Sequence, residues 1–231
     1  MRRVGIVAAW EPEILAIERR FPAVESIKSG AWVFNVHQTQ ELEVVSAVCG
    51  VGKVFCASCT QLLISKFSPT EMYMTGICGG LRNELSEMSL VVPEQTMQYD
   101  VQSPGTSDDP FNLYQGRSSF CESDSLLLQR FRDFVLSTGI PTYFGIAVSG
   151  DQRIRSSERS NYMRNEFNAI AVDQEMAVFA HVCTLNQIPF LCLKAVSDKA
   201  DEQTEQIQRL YKLKACDLAS ETLINFLSTI V

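Results

Sequence analysis

The chain has 231 residues, 46% of them hydrophobic, and a formal net charge of −7. This length is typical of one α/β domain, so we expect a single domain over residues 1–231. The acidic balance argues against a nucleic-acid-binding surface, which needs clustered Lys and Arg. Because no apolar run approaches the ~20 residues of a membrane span and no signal peptide is evident, we expect a soluble, cytoplasmic protein without membrane contact.

Apolar runs alternate along the chain with amphipathic segments of helical length. The strands predicted are Val4–Ala9, Trp32–Gln38, Leu42–Val48, Met72–Ile77, Leu90–Val92, Gly145–Val148, Ile170–Val172 and Phe190–Val196. The helices predicted are Glu11–Arg20, Lys53–Phe67, Ser123–Thr138, Ser157–Phe167, Glu175–Asn186 and Glu202–Leu227. Such alternation indicates an α/β fold with a central mixed, mostly parallel sheet flanked by helices.

Two further features of the chain concern a loop and the cysteines. Gln102–Arg117 is the only long irregular stretch, and a loop of this length is usually functional or mobile. Cys56 and Cys59 form a C-x-x-C motif, but no second ligand pair or thioredoxin-like context accompanies it. We therefore expect buried, reduced thiols, no metal site and no cofactor.

Three predicted strands are followed by carboxylates. Ser197-Asp198 ends the Phe190 run, Asp173–Glu175 ends the Ile170 run, and Trp10–Glu13 follows the first strand. Ligands of open α/β sheets bind outside the carboxyl ends of the strands, so these acids are expected to form one site.

Six segments, in this order, carry a resemblance to a known family: Val4–Val7, Cys49–Val54, Thr75–Leu81, Val148–Asp151, Ala171–Glu175 and Ala195–Asp201. They resemble the nucleoside phosphorylase/hydrolase superfamily. The most similar branch is that of the methylthioadenosine/S-adenosylhomocysteine nucleosidases and the related futalosine hydrolases. The resemblance implies cleavage of the N-glycosidic bond of a small purine nucleoside by a homodimer, with the Gln102–Arg117 region near the 5′ end of the substrate.

The resemblance also implies roles for the carboxylates. Asp198, oriented by Ser197, protonates the leaving purine at N7, Glu175 holds the ribose hydroxyls, and Glu13 activates water. Each acid has a structural alternative. Ser197-Asp198 can cap the following segment, Glu175 can satisfy a helix dipole, and Glu13 can be a solvated first-turn residue.

Further substrate-binding positions follow from the same resemblance. Gly79 allows close backbone approach to base and sugar, although ordinary turn chemistry is the alternative for this glycine. Val51 keeps the apolar character of its position, and Ile154 is a further substrate-binding position. Asp173 stands where the nucleosidases usually have glutamate, and Lys194 where they often have arginine. We expect this shorter pair to keep its charges and to position Glu13 or the water.

Three departures from the family pattern concern substrate choice. Trp10 and Gln174 replace methionines near the 5′ group and the ribose, and Arg153 replaces a phenylalanine that stacks on the purine. A tryptophan can contact an aromatic 5′ extension, and an arginine can stack on a purine or donate to a 6-oxo group. Futalosine has both features, although its 6-amino analogue fits equally well. Methylthioadenosine/S-adenosylhomocysteine cleavage and a non-catalytic nucleoside-binding role are the alternatives.

The nucleophile is also predicted. The phosphorylases of this superfamily bind phosphate partly from the strand before the glycine-rich turn, where this chain has Met74 and Ile77. A phosphate dianion needs several donors or cations to offset its desolvation. Water is therefore the expected nucleophile.

Overall fold

The computed structural model describes residues 2–39, 41–101 and 120–229, so the whole predicted loop Gln102–Arg117 lies outside the described residues. The strands are β1 Arg2–Ala8, β2 Glu25–Ser29, β3 Trp32–Gln38, β4 Leu42–Val48, β5 Glu71–Gly80, β6 Leu90–Gln98, β7 Cys121–Glu122, β8 Thr142–Ser149, β9 Ala169–Asp173 and β10 Phe190–Asp198. The α-helices are α1 Leu15–Arg20, α2 Lys53–Phe67, α3 Ser125–Leu136, α4 Ser157–Phe167, α5 Met176–Leu185 and α6 Thr204–Thr229.

Every predicted strand and helix is present: β3, β4, α2 and α4 have the predicted bounds, and the ends of the others are shifted. β2 and β7 were not predicted, since one is largely exposed and the other has only two residues. The predicted helix Glu11–Arg20 is divided into a 3₁₀ turn at Glu11–Glu13 and the helix α1. The turn is held tightly because the Glu13 carboxylate accepts hydrogen bonds from the backbone just before it.

The sheet is mixed, as predicted, but part of it closes on itself. β1 is parallel to β4 and β5, and β5 is also parallel to β10. β10 then pairs antiparallel with β6, which leads through β8 and β9 back to β5. Five strands therefore form a closed ring, and β1, β4, β3 and β2 extend the sheet from β5.

This topology brings the acidic strand ends together. Because β1, β5 and β10 run parallel, their carboxyl ends meet at one edge of the sheet. β9 runs antiparallel to β5, yet it pairs only at the end of that strand, where Val172 lies opposite Gly79. Asp173 therefore reaches the same edge from the opposite direction.

Helices cover the sheet on both faces. Helices α2 and α5 contribute to one apolar core with β5 and β10, and α1, α3 and α6 contribute to another. β10 is buried along its whole length, including the polar residues at its end. The site edge is therefore built on the most enclosed strand of the fold.

All eight cysteines are buried and unpaired. Burial raises the pKa of Cys59 to about 12, so this thiol of the C-x-x-C motif is protonated at neutral pH. Within residues 2–39, 41–101 and 120–229, no group of three or more His, Cys, Asp or Glu side chains could hold a metal ion. None of the helices described has the length and apolar character needed to cross a membrane.

Candidate active site

A cavity of about 360 Å³ opens where the acidic strand ends meet. It is lined by all the predicted site residues except Lys194: Trp10, Glu13, Val51, Gly79, Arg153, Ile154, Asp173, Gln174, Glu175, Ser197 and Asp198. This size is in the range of small-molecule sites. Residues that follow β1 and residues at the ends of β9 and β10, far apart in the sequence, therefore share one concave surface.

A local irregularity of β10 sets the position of Asp198. The pairing with β5 shifts register between Val196 and Asp198, as in a β-bulge. In a regular strand, successive side chains point to opposite faces, but a bulge re-aims them. Ser197 and Asp198 consequently both line the cavity, and the Ser197 hydroxyl donates to Oδ2 of Asp198 at 2.7 Å.

The Asp198 carboxylate has further partners. Its Oδ1 accepts hydrogen bonds from the Ala200 N–H at 2.8 Å and the Thr204 hydroxyl at 2.9 Å. Its Oδ2 also accepts from Nε2 of Gln208 at 2.6 Å. The alternative interpretation, that Asp198 caps the following segment, is therefore correct in part. The residue holds the loop before α6 through Ala200 and Thr204, and it also faces the cavity.

Glu13 is buried rather than solvated, because its carboxylate is held by backbone amides. Oε2 accepts from Ala9 and Trp10 at 2.9 and 3.0 Å, and Oε1 accepts from Ile77 at 2.9 Å. Gly76 makes room for it: a Cβ atom there would lie 2.4 Å from Oε1, and its φ of +145° also favours glycine. Sequence reasoning missed this function of Gly76.

Glu175 is the N-cap residue of α5 but makes no capping hydrogen bond through its side chain. Asp173 caps the helix instead and accepts hydrogen bonds from the Glu175 and Met176 amides. The structural role considered for Glu175, that of satisfying the helix dipole, is therefore filled by Asp173. The Glu175 carboxylate turns towards the cavity and accepts from the Gly52 amide at 2.9 Å. This single bond leaves other lone pairs of the carboxylate available.

Lys194 lies beneath the cavity and does not line it. Its side chain is fully buried on β10, with Nζ 3.3 Å from Oδ2 of Asp173. Among the described residues, no acceptor meets Nζ with good hydrogen-bond geometry, so this attraction is one of charge. Burial alone would lower the pKa of Lys194, but the charges of Glu13, Asp173 and Glu175 raise it well above its usual value.

The remaining predicted residues lie around the cavity mouth and walls. Trp10 is 38% exposed and Val51 is also exposed, whereas Ile154 is buried. Gln174 donates its side-chain amide to the carbonyl of Asp151 at 3.2 Å. The exposed guanidinium of Arg153 donates to Oε1 of Gln208.

Sequence reasoning missed three lining residues on α6. Thr204, Gln208 and Lys212 all reach the cavity. Residues four apart lie on the same face of a helix, and this spacing could have revealed them once α6 was known to cross the site. Two of them contact Asp198, while the ammonium of Lys212 lies 5.2 Å from the ring centre of Trp10.

Glu175 should make stability depend on pH. Burial, reinforced by the charge of Asp173, raises its pKa from 4.5 to about 7, against the opposing effects of Lys194 and the Gly52 amide. Protonated Glu175 therefore favours the folded state below about pH 4.5, and this contribution is lost as the pH rises through 7.

The variant Glu175→Gln keeps the oxygen that accepts from Gly52 but cannot ionise. We expect the free energy of unfolding of this variant, minus that of wild type, to be about 2–3 kcal/mol larger at pH 8 than at pH 4.5. Urea unfolding of both proteins at the two pH values measures this. An equal stability difference at both values would show that Glu175 titrates normally.

The family model of the Phosphorylase superfamily matches residues 3–231. A 5′-methylthioadenosine/S-adenosylhomocysteine nucleosidase of Staphylococcus aureus (strain JH9) is 28% identical over 221 residues, covering 95% of this chain and 96% of that protein.

Two similar solved structures come from Helicobacter pylori. One is a 5′-methylthioadenosine/S-adenosyl homocysteine nucleosidase complexed with a pyrrolidine compound, and the other is the futalosine hydrolase of strain 26695. Each superposes with a TM-score of 0.93 at 27% identity, covering 99% of this chain and 98% of the other. The fold, the order of the motifs and the family match over nearly the whole length agree: this chain belongs to the Phosphorylase superfamily.

Proposed function

We propose that the chain is a purine nucleoside N-ribohydrolase that cleaves futalosine or 6-amino-6-deoxyfutalosine, a reaction of menaquinone biosynthesis by the futalosine pathway. The observation that carries the hydrolase assignment is the convergence of Asp198, Glu175 and Glu13 on one cavity of about 360 Å³. The names of its relatives, which are nucleosidases and a futalosine hydrolase, support the same reaction class.

Asp198 is the proposed general acid. As the bond between C1′ and N9 breaks, its electron pair moves to the purine, and a proton delivered to N7 lets the base leave neutral. Ser197, Thr204 and Gln208 hold the carboxyl group in place through their hydrogen bonds. A positioned acid of this kind contributes ~10²–10⁴-fold to rate.

Glu175 is the proposed ribose ligand. A carboxylate can accept one hydrogen bond from each of two neighbouring hydroxyls, and Gly52 uses only one of its acceptor sites. The ionised form is the better acceptor. Since the pKa of Glu175 is about 7 in the enzyme without substrate, substrate binding and deprotonation of this residue are coupled.

Glu13 is the proposed general base. It takes a proton from the water that attacks C1′, so the sugar leaves with a new hydroxyl group. Three backbone N–H groups fix its carboxylate in position. Met74 is fully buried and Ile77 presents an apolar side chain to the cavity, so neither offers phosphate a donor from its side chain.

Trp10 and Lys212 indicate the kind of 5′ group that the substrate carries. Together they present an aromatic ring and an ammonium group at the cavity mouth. The 5′ extension of futalosine ends in a benzoate, whose ring can contact the indole and whose carboxylate can pair with the ammonium. A methylthio group would use neither the charge nor most of the ring.

Methylthioadenosine/S-adenosylhomocysteine cleavage is the alternative, and the names of the relatives favour it as much as they favour futalosine. A non-catalytic nucleoside-binding protein is a second alternative of another class. Retention of Asp198, Glu175 and Glu13 argues against it, because a binding protein needs neither an acid nor a base. A homodimer, which the resemblance implies, and the cytoplasmic location expected from the sequence complete the proposal.

Substrate choice tests this function most directly. We expect kcat/KM for a futalosine-type nucleoside to exceed that for methylthioadenosine at least tenfold, which is about 1.4 kcal/mol of transition-state discrimination. Chromatography of the released base, with futalosine, 6-amino-6-deoxyfutalosine and methylthioadenosine side by side, gives the ratio. Trp10→Met should shrink it, because the substitution removes the aromatic wall.

The exposed Trp10 lies at the mouth, so Trp10→Met should leave folding intact, and the exposed Leu213→Met on α6 serves as a control. Equal or faster cleavage of methylthioadenosine by the wild-type protein would favour the alternative substrate. Binding of nucleosides without release of base would favour the non-catalytic role.

The acid is tested by Asp198→Asn, which keeps the size of the side chain but cannot supply the proton. We expect kcat to fall by ~10²–10⁴-fold for every nucleoside that the enzyme cleaves. The new N–H₂ group faces donors that an Asp198 oxygen accepted, so Tm should fall, but the protein should stay folded at the assay temperature. The exposed Asp133→Asn on α3 is the matched control. Wild-type turnover by Asp198→Asn with an unchanged Tm would refute the assignment.

A further inference from the structure

Gln208 links an exposed cation to the buried acid of the site. Its Nε2 atom donates to Oδ2 of Asp198 at 2.6 Å and to the Ser197 hydroxyl at 3.3 Å. Its Oε1 atom accepts from the guanidinium of Arg153. Both Gln208 and Arg153 line the cavity, so this bridge lies on the surface that a ligand meets.

The two neighbours fix the direction of the Gln208 amide. Arg153 has only donors, so it requires the amide oxygen on its side. Oδ2 of Asp198 keeps an acceptor lone pair whether the acid is ionised or carries the proton for N7, so it requires the amide nitrogen on its side. If the amide were reversed, its N–H₂ group would face the Arg153 guanidinium and its oxygen would face an Asp198 oxygen, so both hydrogen bonds would be lost. Gln208 therefore presents an N–H₂ group beside Asp198. One of its two hydrogens goes to Oδ2 of Asp198, and the other makes only the longer 3.3 Å bond with the Ser197 hydroxyl, which an acceptor on the ligand can replace.

The shape of a purine makes this direction important. N7 and the substituent on C6 lie on the same edge of the ring system, one beside the other. When N7 faces Asp198, the substituent on C6 faces the groups next to Asp198, of which Gln208 is one. A 6-oxo group accepts a hydrogen bond from an N–H₂ group, whereas a 6-amino group would oppose donor with donor.

We propose that Gln208, oriented by Arg153, selects nucleosides with a 6-oxopurine base over those with a 6-aminopurine base. This inference rests on the proposed function, in which Asp198 faces N7. It separates two substrates that the proposed function leaves together, and it favours futalosine over its 6-amino analogue. Mispairing of polar groups discriminates far better than a change in apolar size does, so the preference should reach about tenfold or more.

The test uses two nucleosides that differ only at C6, namely futalosine and 6-amino-6-deoxyfutalosine. We expect wild-type kcat/KM to favour the 6-oxo compound by about tenfold or more, and Gln208→Met to bring the ratio within about threefold of unity. Because Gln208 also supports Asp198, the variant is expected to slow both reactions, but only loss of base selection changes the ratio. Gln206→Met, an exposed neighbour on α6, should leave the ratio unchanged.

Arg153→Met gives an independent variant at an exposed position, in case Gln208→Met does not fold. Without the guanidinium the amide is free to turn, so the 6-oxo preference should also fall. Inhibition by the free bases gives a second readout, with hypoxanthine expected to bind wild type more tightly than adenine.

A wild-type preference for the 6-amino compound, or a ratio that neither variant alters, would overturn the role of Gln208 while leaving the nucleosidase intact. Failure to release base from any nucleoside would instead overturn the proposed function.

Discussion

The site depends on one buried cation, Lys194. Four carboxylates line a single small cavity, and ionised groups that are withdrawn from water repel one another and lose hydration. Lys194, fully enclosed on β10, lies 3.3 Å from Asp173, and the charges of Glu13 and Glu175 also act on it. Its ammonium offsets part of this repulsion, and because Lys194 does not line the cavity, it takes up none of the space available to a ligand.

Around this charge, each acid has a different set of partners. The Glu13 carboxylate accepts hydrogen bonds from three backbone N–H groups, which hold it in one position. Asp198 accepts hydrogen bonds from the side-chain hydroxyl and amide groups around it. Glu175 accepts a hydrogen bond from one N–H group, and burial together with the charge of Asp173 raises its pKa to about 7. Similar groups in different environments can take different chemical roles, and this division supports the proposed acid, base and sugar ligand.

The sequence was sufficient to predict most of the fold, because short apolar runs indicate the buried strands and amphipathic segments with a helical period indicate the helices. The carboxylates could be predicted since each follows a strand. The register shift at Ser197 and the closing of β10 against β6 could not, because they depend on pairings between distant segments. Gln208 and Lys212 were missed for a related reason: a polar face on a long helix becomes informative only when the surface it crosses is known.

A crystal structure with a non-hydrolysable futalosine analogue, one whose C1′ is joined to the base through carbon, would test the account most directly. We expect N7 within hydrogen-bond distance of Asp198, the ribose diol on Glu175, and the benzoate against Trp10 and Lys212. A base bound at Glu175, or a ribose that leaves Glu13 without access to C1′, would contradict the assignment of the three carboxylates.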